Sequence, residues 1–201
     1  QVILCARRKE ALLQCRDELQ AKGCEAQVIS GDISQRSELK RIGKASAECF
    51  GRSPDIVVHA AGVNRRQSWQ DITDESWDVQ LELMLSAPFF LSRELVPAMI
   101  ERGWGRIIHI ASLQSQRAFP NSMPYGAAKG GVMQLTRAMA EAWSQHGITA
   151  NAIAPGFFPT ELTQSVFADQ KRLQAIAQQT AIGRAGELQD LQGAAVFLAS
   201  D

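Results

Sequence analysis

The sequence predicts an α/β fold in which a doubly wound parallel sheet lies between two layers of helices. Short runs rich in valine and isoleucine alternate with longer segments whose apolar residues recur at helical spacing. Gly23 and Gly51 follow two of these segments, and glycine just after the last turn is the usual end of a helix. Such alternation is typical of a parallel sheet with helices on both faces. The 201 residues, 45% of them apolar, are enough for one sizeable core.

The elements follow one another from the first residues onward. Strands are predicted at 2–5, 26–30, 56–60, 106–111 and 149–153. Helices are predicted at 9–22, 36–50, 74–102, 125–146 and 188–199. Pro88 and Pro97 remove backbone donors, so they are predicted to interrupt the helix at 74–102. A loop with a short helix is predicted between the last strand and the last helix.

Composition narrows the class of protein. Lysine plus arginine and aspartate plus glutamate number 21 each, which predicts neither a nucleic-acid-binding face nor an acidic tail. The cysteines form no Cys-x-x-Cys pair, which argues against a metal site or a redox motif; they are Cys5, Cys15, Cys24 and Cys49. No uninterrupted apolar run approaches the ~20 residues that span a bilayer. We therefore expect a cytoplasmic protein with no metal, no nucleic acid and no membrane partner.

Ser112, Tyr125 and Lys129 are the candidate catalytic residues. Tyr-x-x-x-Lys places a phenol and an ammonium one helical turn apart, on the same face of a helix. A fixed cation beside tyrosine favours the phenolate, which would make it a usable acid or base near neutral pH. The alternative is a chance pair on a solvated helix. Ser112 ends an apolar run that is predicted to be a buried strand, and ligands bind at the carboxyl ends of strands in open α/β sheets.

With these residues the chain resembles the short-chain dehydrogenase/reductase family, and the resemblance runs from the first residue to the last. Four more segments match the family pattern in order: Gly31-Asp32, His59-Ala60-Ala61-Gly62, Asn151 to Gly156 and Phe197 to Asp201. Each alone is also explained as an ordinary turn or loop. The resemblance implies a Rossmann-like fold that binds a dinucleotide.

The family begins with a strand and a Gly-rich turn that receives the cofactor pyrophosphate. This sequence opens on what resembles the second strand of the family. We therefore expect residues 1–201 to be a single dinucleotide-binding domain from a longer chain. The strands at 2–5 and 26–30 would then face the rest of the sheet across an unfilled slot. Alone, the 201 residues are expected neither to fold stably nor to hold a dinucleotide.

The resemblance implies a reaction in which a secondary alcohol and a ketone are interconverted with NAD(P)(H). Tyr125 would give a proton to the carbonyl oxygen, Ser112 would steady that oxygen, and Lys129 would lower the pKa of the tyrosine and hold the nicotinamide ribose. Further cofactor contacts are implied along the loops that follow strands: Ala60, Ala61, Gly62, Pro155, Gly156 and Thr160. The stretch 161–170 would form a lid over the substrate.

The basic residues after the first strand favour NADP over NAD. The position where NAD-preferring members carry an acidic residue is Ala6, and Arg7 follows it with Arg8 as support. Arginine offers a fork for a 2′-phosphate. The alternative is that both arginines are the solvated start of a helix. Asp32, with Ile33, resembles the adenine contact of the family, although an acidic residue after a strand is also a common helix cap.

Two positions depart from the family pattern. Met84 stands where an asparagine usually supports a water-linked proton relay, and a thioether is a weak acceptor and no donor. Ser86 or ordered water could substitute, or the protein could be a catalytically impaired binding or regulatory protein. His59 replaces an asparagine and is expected to be a satisfied core residue. The helices at 74–102 and 125–146 pack against a neighbouring subunit in the family, so we expect a homodimer or homotetramer.

The candidate substrate loops are polar and basic. Gln114, Gln116, Arg117 and Asn121 lie between the serine and the tyrosine, and Asn64, Arg65 and Arg66 follow the Gly62 turn. Such an entrance suits a hydroxylated or carboxylated substrate, and the overall pattern is closest to gluconate 5-dehydrogenase-like and 3-oxoacyl-carrier-protein-reductase-like members. A sugar acid, a polyol or a 3-oxoacyl compound is therefore expected. The alternative is that these loops are solvated turns with no ligand.

Overall fold

A computed structural model describes all of residues 1–201, with parallel strands in two groups. The first sheet pairs β1 (Val2–Ala6) with β2 (Ala26–Ser30). The second has the order β3 (Ile56–His59), β4 (Gly105–Ile110) and β5 (Ile148–Ile153), and its strands are also parallel. The predicted α/β class with parallel strands is confirmed.

Eight α-helices connect and cover these strands. The four that precede the site are α1 (Lys9–Ala21), α2 (Arg36–Cys49), α3 (Asp74–Leu81) and α4 (Ala87–Arg102). The remaining four are α5 (Met123–Trp143), α6 (Gln164–Phe167), α7 (Gln170–Gln178) and α8 (Gln192–Ala199). Helices α4 and α5 pack on one face of the second sheet, and α8 contacts β4 and β5.

The core lies between the second sheet and helices α4 and α5. Ile107 and Ile148 are fully buried there, and they pack against residues of the two helices: Leu95, Val96, Met99 and Met139. Burial of one such side chain contributes about 1.5–3 kcal/mol. Because β4 is buried almost along its whole length, the residues at its carboxyl end are held in fixed positions.

The segment 74–102 differs from the prediction at its prolines. Neither Pro88 nor Pro97 ends the helix, which runs without a break from Asp74 to Arg102. Its irregularity is one π-helical turn at Glu82–Ser86, which ends two residues before Pro88. Gly103, at φ 67°, ends α4, and a side chain on Gly147 would collide with the Gly103 carbonyl.

The same segment, 29 residues from Asp74 to Arg102, is long and apolar enough to cross a membrane by length and composition alone. It is weak evidence for a membrane helix, because core helices pass the same test. Its residues Leu95, Val96 and Met99 belong to the core described above.

The two sheets do not hydrogen-bond to each other. A cavity of about 650 Å³ lies between them, lined on one side by residues 1–5 and on the other by residues 54–61. Most of its lining is apolar, including Ile33, Leu91 and Leu95 from the helical layers and loops. The gap that was predicted between the first two strands and the rest of the sheet is therefore present, and it lies between β1 and β3. That residues 1–201 form one dinucleotide-binding domain of a longer chain stays a prediction.

Candidate active site

Ser112 lies just beyond the carboxyl end of β4, where the chain leaves the sheet. It caps a 3₁₀ turn at Leu113–Ser115, and its hydroxyl oxygen accepts a hydrogen bond from the Gln114 amide at 3.1 Å. A capped turn directly after a buried strand leaves the serine little freedom. The hydroxyl is therefore held at the edge of the sheet, half-buried.

Helix α5 carries Tyr125 and Lys129 one turn apart. The helix begins two residues before the tyrosine, with Pro124 in its first turn. Only 7% of Tyr125 and 4% of Lys129 are exposed. The Lys129 ammonium donates to the Ile110 carbonyl oxygen at 2.5 Å and lies 5.8 Å from the centre of the Tyr125 ring. The lysine thus ties α5 to the end of β4, beside Ser112.

Ser115 joins the serine turn to the helix. Its hydroxyl donates to the main-chain carbonyl of Lys129 at 2.7 Å and accepts from the main-chain amide of Ser112 at 3.2 Å. Residues 112, 125 and 129, predicted from their spacing, therefore lie together at one edge of the sheet. Their catalytic roles stay predictions. The role of Ser115 was not predicted, although its place three residues after Ser112 is the spacing of a capping box.

The pKa of Tyr125 is shifted in the direction opposite to the one predicted. Burial raises the pKa of Tyr125, and a hydrogen bond from Ser112 and the charge of Arg66 oppose that rise. Lys129 was expected to lower the tyrosine pKa, but here its ammonium is bonded to a carbonyl below the ring. Burial lowers the pKa of Lys129 to about 8. In this state the phenol carries its proton at neutral pH.

Met84 fills the space where the family relay is expected. Only 2% of it is exposed, and it packs with Tyr125 and Ala128. A side chain on Gly62 would lie 3.6 Å from the Met84 sulfur and 3.9 Å from the Lys129 nitrogen, so the thioether and the ammonium border the same small space. That Ser86 or ordered water substitutes in the relay stays a prediction.

His59 is a core residue, as expected. It lies at the end of β3, and its ring stacks on His109 with centroids 5.0 Å apart. Its Nε2 pairs with the Ser92 hydroxyl at 2.9 Å. Thr136 donates to the Val132 carbonyl, so it accepts from Nδ1 of His109 at 3.0 Å, and Nε2 of His109 is buried with no partner. Burial lowers the pKa of His59 to about 3 and that of His109 to about 4.

The residues proposed for the adenosine end follow β1 and β2. Arg7 is exposed, and its guanidinium lies 3.8 Å from the Asp32 carboxylate. Asp32 also accepts from the amide and the hydroxyl of Ser34 at 3.0 and 2.7 Å. It therefore stabilises the turn before α2, while Gln35 is the residue that precedes the helix. Ile33 lines the cavity between the two sheets.

The residues proposed for the nicotinamide end follow β3 and β5. Ala60 and Ala61 line the cavity, and Gly62 lies beside Lys129 as described. The Pro155 carbonyl accepts from the Leu113 amide at 3.4 Å, so the loop after β5 lies against the serine turn. A side chain on Gly156 would be 3.9 Å from Leu113. Thr160 caps the turn Glu161–Thr163, and α6 follows at once.

These loops fit a dinucleotide in part. Two arginines follow β1, where they can bind a phosphate. The Lys129 ammonium of α5 lies next to Gly62, which follows β3, where it can bind a ribose. The Asn64 side-chain oxygen is buried without a partner in the loop beyond Gly62, which leaves one acceptor free near the site. NADP(H) would be held by Arg7 and Arg8 at one end and by Lys129 and Thr160 at the other.

Several known proteins are similar to this chain in sequence. A family model described as enoyl-(acyl carrier protein) reductase matches residues 1–201. The chain is 35% identical over 200 residues to a gluconate 5-dehydrogenase of Gluconobacter oxydans, covering 100% of this chain and 78% of that protein. It is 42% identical over 170 residues to a 2-dehydro-3-deoxy-D-gluconate 5-dehydrogenase of Dickeya dadantii, covering 84% and 66%.

A solved structure shares the fold as well. The crystal structure of a gluconate 5-dehydrogenase from Burkholderia cenocepacia in complex with NADP and tartrate superposes with a TM-score of 0.92 at 31% identity, covering 98% of this chain and 77% of that chain. The family match, the identities and the superposition all point to one group of enzymes. This chain belongs to the short-chain dehydrogenase/reductase family.

Proposed function

We propose that the protein interconverts the 5-hydroxyl and 5-keto forms of a sugar acid with NADP(H). The broader reaction, NAD(P)(H)-dependent interconversion of a secondary alcohol and a ketone, follows from the family, and NADP is the cofactor in the solved relative. The relatives are named as dehydrogenases and reductases, and they do not favour a non-catalytic protein. The observation that carries the proposal is the placement of three groups at one edge of the sheet. Ser112 lies at the end of β4, Tyr125 lies one turn from Lys129 on α5, and the Lys129 ammonium lies 5.8 Å from the centre of the tyrosine ring.

The proton steps follow from the state of these three groups. Tyr125 keeps its proton at neutral pH because burial raises its pKa, so it is ready to donate to a carbonyl oxygen. Ser112 can donate to the same oxygen as its charge develops. Lys129 keeps a positive charge near the phenol below about pH 8, which stabilises the phenolate once the proton has left. NADPH, when bound, supplies the hydride. Oxidation requires the reverse transfer, from the alcohol to a phenolate.

The acidic substrate is supported by charge at the entrance. Arg65 and Arg66 are exposed in the loop after Gly62, and the charge of Arg66 acts on Tyr125. A carboxylate on the substrate would be attracted to this loop. The relatives named for gluconate, 5-keto-D-gluconate and 2-dehydro-3-deoxy-D-gluconate support the same class.

A substrate panel tests this proposal. NADPH consumption would be followed with 5-keto-D-gluconate, with an uncharged ketose of the same carbon number and with a 3-oxoacyl thioester. We expect the highest kcat/KM for the keto acid. A higher value for the thioester would make the protein a reductase of acyl chains, and a higher value for the ketose would remove the role proposed for the entrance arginines.

We also infer that the protein is cytoplasmic and forms a homodimer or homotetramer through the helical stretch 74–102. Phe89 and Ile100 lie three turns apart on one face of α4 and are each more than one third exposed, and large exposed apolar side chains on one face are typical of a subunit contact. Sedimentation equilibrium would measure the mass. A monomer at micromolar concentration would contradict the inference.

A further inference from the structure

Arg8 and Glu161 form an ion pair between distant parts of the chain. One guanidinium nitrogen of Arg8 contacts both oxygens of the Glu161 carboxylate, at 2.9 and 3.0 Å. The two residues are 153 positions apart in sequence. No other ion pair or side-chain hydrogen bond joins residues 1–50 to the residues after Pro155. This ion pair is therefore the one polar side-chain contact between residues 1–50, which include the first sheet, and the segment that follows β5.

The position of the pair relates it to the cofactor residues. Arg8 is the residue between β1 and α1, next to Arg7. Glu161 follows Thr160 in the turn before α6. Because one residue follows the end of β1 and the other follows the end of β5, the carboxyl ends of both sheets meet at the same edge of the molecule. The ion pair crosses that edge, between the adenosine end and the nicotinamide end of the proposed dinucleotide site.

We propose that Glu161 sets the choice of cofactor by competing with the 2′-phosphate of NADP for the Arg8 guanidinium. This inference rests on the proposed NADP-dependent function. A carboxylate and a phosphate monoester accept hydrogen bonds from the same N–H groups of arginine. The two anions therefore compete for one guanidinium. The nearest carboxylate to Arg7 is Asp32, at 3.8 Å, so Arg8 is the arginine more tightly held before the cofactor binds.

The Arg8–Glu161 ion pair is weak enough for a phosphate to displace the carboxylate. The side chains of Arg8 and Glu161 are 70% and 81% exposed. Ion pairs between such solvent-exposed side chains contribute little to the free energy of folding. A phosphate that carries up to two negative charges can therefore displace the carboxylate. NAD has only a hydroxyl at that position and leaves the pair intact. Binding of NADP would thus free the turn that carries Thr160 and Glu161, whereas binding of NAD would not.

Binding measurements on the full-length protein test the proposal. Dissociation constants for NADPH and NADH would be measured by nucleotide fluorescence for the parent, Glu161→Gln and Arg8→Gln. We expect Glu161→Gln to bind NADPH about two- to fivefold more tightly, as the loss of an exposed ion pair allows, and to leave NADH binding essentially unchanged. Arg8→Gln should weaken NADPH binding, and adding Glu161→Gln to it should then have no further effect. Glu141→Gln removes the same charge from an exposed position on α5 and serves as the matched control.

The outcomes separate this inference from the proposed function. The competition would be overturned if Glu161→Gln raised the affinities for NADPH and NADH equally, or did not raise the affinity for NADPH. It would also be overturned if Glu161→Gln still raised the affinity for NADPH when Arg8 is replaced by Gln. If Arg8→Gln leaves NADPH binding unchanged, Arg8 does not bind the phosphate and the inference is also wrong. Neither result bears on turnover of a keto acid, which is measured separately.

Discussion

The Lys129 ammonium donates to the main-chain carbonyl of Ile110, at 2.5 Å, at the point where β4 ends. The contact fixes α5 against the strand that carries Ser112. It also explains why the lysine charge lies below the Tyr125 ring rather than at its hydroxyl. A carbonyl holds the ammonium in place while burial lowers its pKa, so the charge of the site depends on pH.

Removal of the Tyr125 hydroxyl should abolish turnover. We expect Tyr125→Phe to lower kcat by at least about 100-fold, because the change removes the group that gives its proton to the carbonyl oxygen in the proposed reaction. The ring stays packed against Met84 and Ala128, so NADPH binding should change by less than about twofold. Steady-state kinetics and a fluorescence titration would measure both. Appreciable turnover in Tyr125→Phe would contradict the role assigned to the tyrosine.

Ser115 should position the site without touching the reactants. Ser115→Ala removes two hydrogen bonds, those to Lys129 and Ser112, and should cost about 1–2 kcal/mol of unfolding free energy. Because the serine turn and α5 would then be less fixed, kcat should fall about tenfold with KM little changed. Ser115→Thr keeps the hydroxyl and should restore most of kcat. Equal rates for the alanine and threonine variants would show that the bridge has no effect on the reaction.

The reduction reaction should lose activity through about pH 8. Lys129 is charged below its pKa of about 8 and neutral above it, and the neutral form does not stabilise the phenolate that remains after proton transfer. The profile of kcat/KM against pH should therefore fall on its basic side near that value. Lys129→Arg keeps a charge at all these pH values, and its residual activity should show no such fall. A fall at the same pH in the arginine variant would assign it to another group.

The buried histidine pair should make the protein less stable in acid. His59 and His109 have pKa values of about 3 and about 4 in the folded protein, against an ordinary value near ~6.5. Both are neutral in the folded state, so the unfolded chain binds more protons below ~6.5, and the stability they contribute is complete above that pH. It should fall as the pH drops towards 4, by about 2 kcal/mol for each histidine at pH 5.

Denaturant unfolding at several pH values would measure this loss. His109→Gln should reduce the dependence on pH between 6.5 and 5. His146→Gln, at the partly exposed end of the helix that carries Lys129, is the matched control. If the unfolding free energy of His109→Gln depended on pH as strongly as that of the parent, the buried histidine pair would not account for the loss of stability in acid.

Met84→Asn tests whether the thioether limits the reaction. An amide at this buried position can accept and donate hydrogen bonds next to Lys129, so turnover should rise. The same change buries a polar group and leaves a gap against Tyr125, so the unfolding free energy should fall by about 2–3 kcal/mol. Met84→Leu, of similar volume, should change neither turnover nor stability by much. No change of turnover in the asparagine variant would show that the relay argument is wrong.

The amino-acid sequence alone was enough to predict the order of strands and helices, because short apolar runs and apolar residues at a spacing of about 3.6 identify each element locally. It also predicted that Ser112, Tyr125 and Lys129 lie together, from the helical spacing of the last two, the strand before the first and the resemblance of the other segments to the family; their catalytic roles stay predictions. Contacts between residues far apart in the chain became visible only in the folded structure. It showed that Lys129 bonds to Ile110, that His109 lies under His59 and that Glu161 pairs with Arg8. It also reversed the direction of the pKa change at Tyr125. Burial and long-range charge act through space, and neither can be read from the residues next to a position in the chain.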